Sequence, residues 1–136
     1  MKIVLDANVF ISSFFWGGNP RLILERVIAG IDELFITKEI LDEIEDVIGR
    51  PKFHVDSEEI HYFIKAIEEI GNKITPNKRL KHGSRDKSDD KYIECGITAN
   101  VDFIISGDTH LLELKKYGNI RIVSAKNYLE LISQSA

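Results

Sequence analysis

One cysteine, one methionine, one tryptophan and three prolines are all that the 136 residues hold of these types. Cys95 alone can close no disulfide within the chain and can build no zinc cluster. Inside an expected helix it reads as a small buried apolar residue. No apolar run approaches the ~20 residues needed to span a bilayer. Asp6 interrupts the first apolar stretch, so no secretory leader is expected, and the chain reads as a soluble cytoplasmic protein without membrane attachment. Neither sign of charge dominates. Eighteen Lys and Arg against 22 Asp and Glu give −4, which neither demands nor excludes a nucleic-acid partner. Internal repeats, low-complexity tracts and linkers are also missing. With 43% apolar and 29% charged residues, the composition is that of one globular domain, residues 1–136, large enough for a proper core.

What is present alternates. Lys2 to Leu5 reads as a strand rich in branched side chains. Asn8 or Ser12 is placed to cap the turn that follows. Asn19-Pro20 then has the form of a helix start, and Gly30 the form of its end. Leu34 to Ile36 is a brief strand. Thr37 is placed to cap a helix through Ile48, with Ile40, Leu41, Ile44, Val47 and Ile48 on the helical period. Asp56 and Glu59 fit a capping box for a helix through Ile70, with Ile60, Phe63, Ile64 and Ile67 expected inward. Lys73 to Thr75 is a further strand, and residues 76–88 form a polar loop. Ser88 or Asp89 caps a helix to about Asn100. Val101 to Ser106 is a strand, a short helix follows Asp108, Ile120 to Val123 is the last strand, and Ser124 caps a final helix. This alternation predicts an α/β fold, a three-layer α/β/α sandwich with a mostly parallel central sheet.

Four acidic segments are distributed over that pattern: Leu5-Asp6-Ala7-Asn8, Asp42-Glu43-Ile44-Glu45, Asp86-Lys87-Ser88-Asp89-Asp90 and Ser106-Gly107-Asp108. Each has an ordinary explanation. Asp6, Asp89 and Asp108 sit where helix caps sit. Asp90 falls in a first helical turn, which favours negative charge. Glu43 lies among Glu39, Asp42, Glu45 and Asp46 on an acidic helix face, one step from the buried stripe. Together they exceed what capping needs. Strand ends in a parallel sheet converge on one crevice, and carboxylates gathered there repel unless a cation holds them. Oxygen donors of this kind suit Mg²⁺ or Mn²⁺.

Four blocks of the sequence resemble PIN-domain proteins of the VapC-type toxin group. They are Ile3 to Ser13, Glu43 to Ile48 with Arg50-Pro51-Lys52-Phe53, Arg85 to Asp90, and Val101 to Leu112. They span nearly the whole chain in the family's order. The resemblance implies a divalent-metal-dependent endoribonuclease, a toxin paired with an antitoxin protein, and a homodimer. It assigns Asp6, Glu43, Asp90 and Asp108 as catalytic metal ligands, with Ser106, Asn8, Asp89 and Asp86 supporting them. In such a site a metal-bound water attacks phosphorus and a second ion steadies the leaving oxygen.

Lys78, Arg79, Lys81, Arg85 and Lys87 crowd the loop before Asp89, with Arg50, Lys52 and His54 as a smaller group, and read either as an RNA-backbone contact or as a solvated loop. Phe14-Phe15-Trp16 reads either as core or as a partner surface, while Phe53, Tyr62 and Phe63 are expected in the core. Two other functions compete. A haloacid-dehalogenase-like phosphatase also places an Asp after its first strand, but needs a second Asp where this chain has Asn8. The other is a non-catalytic PIN-like module that binds RNA or protein.

Overall fold

The computed structural model describes residues 1–80 and 89–134. Its first strand, β1 (Lys2–Leu5), buries Ile3, Val4 and Leu5 in succession. Neighbouring strand side chains point to opposite faces, so three buried in a row means that both faces are covered. The same holds for β4 (Phe103–Ile105). Between them come α1 (Ala7–Phe15), α2 (Gly18–Ile28), β2 (Glu33–Ile36), α3 (Lys38–Ile48), a 3₁₀ turn at Pro51–Phe53, α4 (Ser57–Ile70), β3 (Gly71–Lys73) and α5 (Asp90–Ala99). After β4 follow α6 (Thr109–Leu114), β5 (Lys116–Tyr117), β6 (Ile120–Val123) and α7 (Ala125–Gln134). The expected three-layer α/β/α arrangement is the one found.

The sheet has six strands in the order β3-β2-β1-β4-β6-β5. All pairings are parallel except β5 with β6 at one edge. From β1 the chain moves outward to β2 and β3, then returns to the other side of β1 as β4. The β1/β4 boundary is therefore the topological switch point, where crevices open beyond the strands' carboxyl ends. Register there pairs Leu5 with Ile105, so the residues that follow each strand emerge side by side.

Local signals explain most boundaries. The Thr37 hydroxyl accepts from Ile40 N–H at 3.2 Å and starts α3; the Asp56 carboxylate accepts from Glu59 N–H at 2.9 Å and starts α4. The second helix departs from expectation. It begins at Gly18, capped by Gly17 at φ +76°, with Pro20 two positions inside. The left-handed conformation at Gly17 reverses the chain between α1 and α2, a role only glycine takes without strain. Gly96 matters for another reason. A Cβ there would lie 3.2 to 3.3 Å from Val101, Ile104 and Ile120, so its bare backbone lets α5 press onto the sheet. The α4 helix is more exposed than expected. Of its apolar stripe only Ile67 is buried, Ile60, Phe63 and Ile64 are half-buried, and Tyr62 is exposed rather than in the core. No helix among the described residues is long and apolar enough to cross a membrane.

At the amino ends of the strands, opposite the switch point, a polar knot ties the layers. Asp32 is 2% exposed. It accepts from Arg26 Nε at 2.8 Å and from the Tyr128 hydroxyl at 2.8 Å, and pairs with the terminal amine at 3.3 Å. Burial alone would raise its pKa, but the hydrogen bonds from Arg26 and Tyr128 and the guanidinium charge outweigh it and hold the carboxyl below the ordinary 3.8. A depressed carboxyl stabilises the fold above its unfolded pKa and loses that contribution as pH falls through its folded one. Asp32→Asn should therefore cost on the order of 2 kcal/mol at pH 7, read from denaturant midpoints. The difference from the parent protein should shrink steadily below about pH 4.

Candidate active site

Asp6 is the first residue beyond β1 and the N-cap of α1. Its two oxygens are both engaged. Oδ1 accepts from Val9 N–H at 3.0 Å. Oδ2 accepts from the Ser106 hydroxyl and, at 3.3 Å, from Gly107 N–H. Asp108 stands beyond the neighbouring β4 and caps α6, accepting from His110 and Leu111 N–H at 2.7 and 3.2 Å. Ser106 joins the two acids: its oxygen also accepts Asp108 N–H at 2.9 Å. The parallel β1/β4 register thus delivers two carboxylates to one place, and a buried hydroxyl sets how they sit together.

Glu43 arrives from the side, on α3. Its Oε2 accepts from the Tyr92 hydroxyl, and its Oε1 lies 3.4 Å from Lys91 Nζ. Asp89 is the residue before α5 and is 6% exposed. A cleft of about 420 Å³ is lined by Asp6, Asn8, Glu43, Asp89 and Asp108, with Ala7, Val47, Arg50 and Tyr92 completing its wall. Asp90 takes the next position, in the first turn of α5, where it is 8% exposed and outside that wall. Of the acids expected to converge, Asp6, Glu43 and Asp108 do line the cleft, and the Asp89–Asp90 pair offers it Asp89.

Asp86, Lys81, Arg85 and Lys87 lie outside the described residues. Lys78 is exposed. Arg79 has a structural engagement: its Nη1 bridges Glu39 at 2.5 Å and the buried Glu94 at 2.9 Å, while Leu80 N–H bonds the other Glu94 oxygen at 2.8 Å. It fastens residues 79 and 80 to α3 and α5. Arg50 was only a secondary candidate from sequence, yet it lines the acidic cleft. Tyr92 was not singled out at all. The signal was there, since position 92 is three residues beyond Asp89 and falls on the same side of the helix.

The donor set is all oxygen and all anionic. Among the described residues, neither Asp6 nor Asp108 has an ammonium or guanidinium within ion-pair distance, and no three metal-binding side chains form a ready-made cage. Burial pushes the Asp6 carboxyl above its ordinary value of 3.8. The hydrogen bonds from Ser106, Val9 and Gly107 oppose the rise, and the Asp108 charge adds to it. A raised carboxyl favours the protonated fold, so its ionisation costs stability as pH rises through the folded pKa. An amide at position 6 keeps the Val9 cap through its oxygen and removes that cost, and its NH2 gives up only the long Gly107 bond of 3.3 Å while it can donate to the Ser106 oxygen. Metal-free Asp6→Asn should therefore melt at the parent temperature or a few degrees higher at pH 7, measured by circular dichroism in chelator. A much lower melting temperature would mean that the charge itself is structural.

A family model described as the PIN domain matches residues 2–110. No match was found among curated proteins. The fold is similar to that in the crystal structure of VapBC2 from Rickettsia felis bound to a DNA fragment from its promoter. The TM-score is 0.60 at 12% identity, over 90% of this chain and 97% of that one. With most of its length matched, and with an acidic cleft at the expected switch point, the chain belongs to the PIN-domain family.

Proposed function

We propose that the protein is a divalent-metal-dependent endoribonuclease of the VapC toxin type, acting in the cytoplasm and restrained by an antitoxin protein. The observation that carries this reading is the cleft itself: acids from four separate elements line one polar hollow, and Asp6 is buried there without a cationic partner among the described residues. Carboxylate oxygens in that number fit Mg²⁺ or Mn²⁺ better than any softer ion. Asp6, Glu43 and Asp108, with a fourth carboxylate from Asp89 or Asp90, would hold it. Bound there, such an ion acidifies water and offsets charge at the scissile phosphate.

The chain's own groups do the rest. Ser106 keeps Asp6 turned toward Asp108. Asn8, exposed on the first turn of α1, can hydrogen-bond a nucleotide at the cleft mouth. Arg50 lines the same hollow, its guanidinium 3.7 Å from the Asp46 carboxylate, and suits a phosphate. Substrate binding through such contacts should weaken as salt rises. A protein partner, or a second copy of the chain in a homodimer, has an aromatic surface available. Phe15 stacks on Phe53 and Phe14 packs on Phe63, each half-buried, beside a Trp16 that is 74% exposed.

Purified protein should cleave mixed RNA oligonucleotides when Mn²⁺ or Mg²⁺ is added and stop in excess EDTA. Asp6→Asn and Asp108→Asn should each lower the rate by about 100-fold or more. Comparing Asp89→Asn with Asp90→Asn under the same conditions identifies which of the two is the ligand, as the larger loss. Undiminished cleavage in EDTA would overturn the metal-dependent reading. Turnover of p-nitrophenyl phosphate without RNA cleavage would indicate a phosphatase instead.

A further inference from the structure

Tyr92 sits on α5 where its hydroxyl reaches both α1 and α3. It is 3% exposed, and its ring belongs to the hydrophobic core. Its hydroxyl reaches the cleft wall. The hydroxyl oxygen accepts Ala7 N–H at 3.1 Å. Ala7 is the first residue of α1, so this N–H has no partner within its own helix. A phenol has one proton, and an N–H can only donate. With Ala7 donating to the oxygen, the proton is left for Glu43 Oε2, which accepts it. One oxygen atom therefore fastens α1, which Asp6 caps, to α3, which carries Glu43, from α5, which follows Asp89.

The need for such a device follows from the side chain it holds. Glutamate has three rotatable bonds, and fixing a long side chain of this kind costs rotamer entropy. The Glu43 side chain is 29% exposed. A tyrosine has only two side-chain torsions, and here the core holds its ring. Lys91, the neighbouring residue, reaches the other Glu43 oxygen from above the Tyr92 ring, its Nζ 5.4 Å from the ring centroid. Both oxygens of Glu43 are thus addressed from the first turn of α5.

We infer that Tyr92 is a positioning residue, whose hydroxyl orients the Glu43 carboxylate for the divalent cation and fixes the spacing of α1, α3 and α5 around it. The inference rests on the metal-dependent reading for its consequence and on the hydrogen bonds alone for its geometry.

The variant Tyr92→Phe keeps the ring and deletes the oxygen. Mn²⁺ binding measured by calorimetry should weaken about 10-fold or more, and RNA cleavage at sub-saturating Mn²⁺ should fall in step, with partial recovery at high Mn²⁺. In the Glu43→Gln background the same change should have little further effect on Mn²⁺ affinity. A drop in melting temperature with unchanged Mn²⁺ affinity and cleavage would overturn the inference and leave Tyr92 as packing only. So would equal effects in both backgrounds. The metal-free protein gives a separate readout. In Tyr92→Phe, amide exchange at Ala7 should accelerate and the Glu43 carboxyl carbon should shift in the NMR spectrum. If the parent protein binds no Mn²⁺, the metal-dependent reading fails while these two signals still decide the geometry. Neither signal changing would overturn the positioning role.

Discussion

Adjacent parallel strands place the residues after them side by side, and this geometry fixes where the chemistry can be. β1 and β4 are neighbours only because the chain reverses its direction of travel across the sheet after β3. That reversal puts Asp6 and the Ser106-Gly107-Asp108 turn at one mouth. Ser106 then couples them through a single hydroxyl, donating to Asp6 and accepting from Asp108 N–H. Every further contributor is positioned against that pair. α3 brings Glu43 along the side of α1, and α5 closes the wall from the far side. Gly96 belongs to the same arrangement, because the close seat of α5 on β4 holds the start of that helix near the strand ends. A bulkier residue there would press on Val101, Ile104 and Ile120, which would have to give way for α5 to keep its seat.

How much of this was legible in the sequence depends on how local the cause is. Thr37, Asp56 and Asp108 name their helices because a side-chain oxygen three residues before an N–H is a short-range arrangement. The run Ala7 to Phe15 shows the opposite case. Two serines, two β-branched residues and three phenylalanines make a weak helix former, so the segment read as a turn with an aromatic tail. It is a nine-residue helix because the sheet and neighbouring helices bury most of one side and Asp6 caps it. The half-buried stripe of α4 erred in the other direction: its period was right, but period does not reveal how deep a helix sits. The β5 strand is two residues long and exists only by pairing with β6, which no local pattern announces.

The site was legible in the same graded way. Asp6 and Asp108 follow strands, and strand order in an α/β chain makes their meeting predictable. Glu43 needed the resemblance, since five acids surround one another on α3. Asp89 and Asp90 differ by one residue at a helix start, a distinction that depends on backbone angles at the cap and not on residue type. Arg79 looked like a phosphate contact because arginine in a basic loop usually is solvated. Its actual partners, Glu39 and Glu94, are 40 and 15 residues away in the chain. Tyr92 escaped notice because an aromatic at helical spacing is nearly always core. Here it is core at the ring and cleft wall at the oxygen.

Two aspartates in this molecule are buried to the same 2%, and their contrast bears on what the cleft is for. Asp32, at the amino ends of the strands, has a guanidinium, a phenol and an ammonium around it, and its carboxyl is held below the ordinary range. Asp6, at the carboxyl ends, has only neutral donors and a second carboxylate nearby among the described residues, and its carboxyl is pushed up. Both are nearly closed to water, but desolvation weighs more heavily on Asp6, and of the two only Asp32 has cations beside it among the described residues, so depth and charge together separate them. A fold selected only for stability would treat both ends alike, because an ionised carboxylate left with neutral donors is a standing cost. Keeping that cost at one end only, and beside three more acids, is the economy of a site completed by something positive from outside. A divalent ion supplies twice the charge of the arginine that Asp32 enjoys, without a side chain that would fill the cleft. That asymmetry, more than the number of acids, is what supports reading the hollow at the switch point as a place for metal and phosphate together.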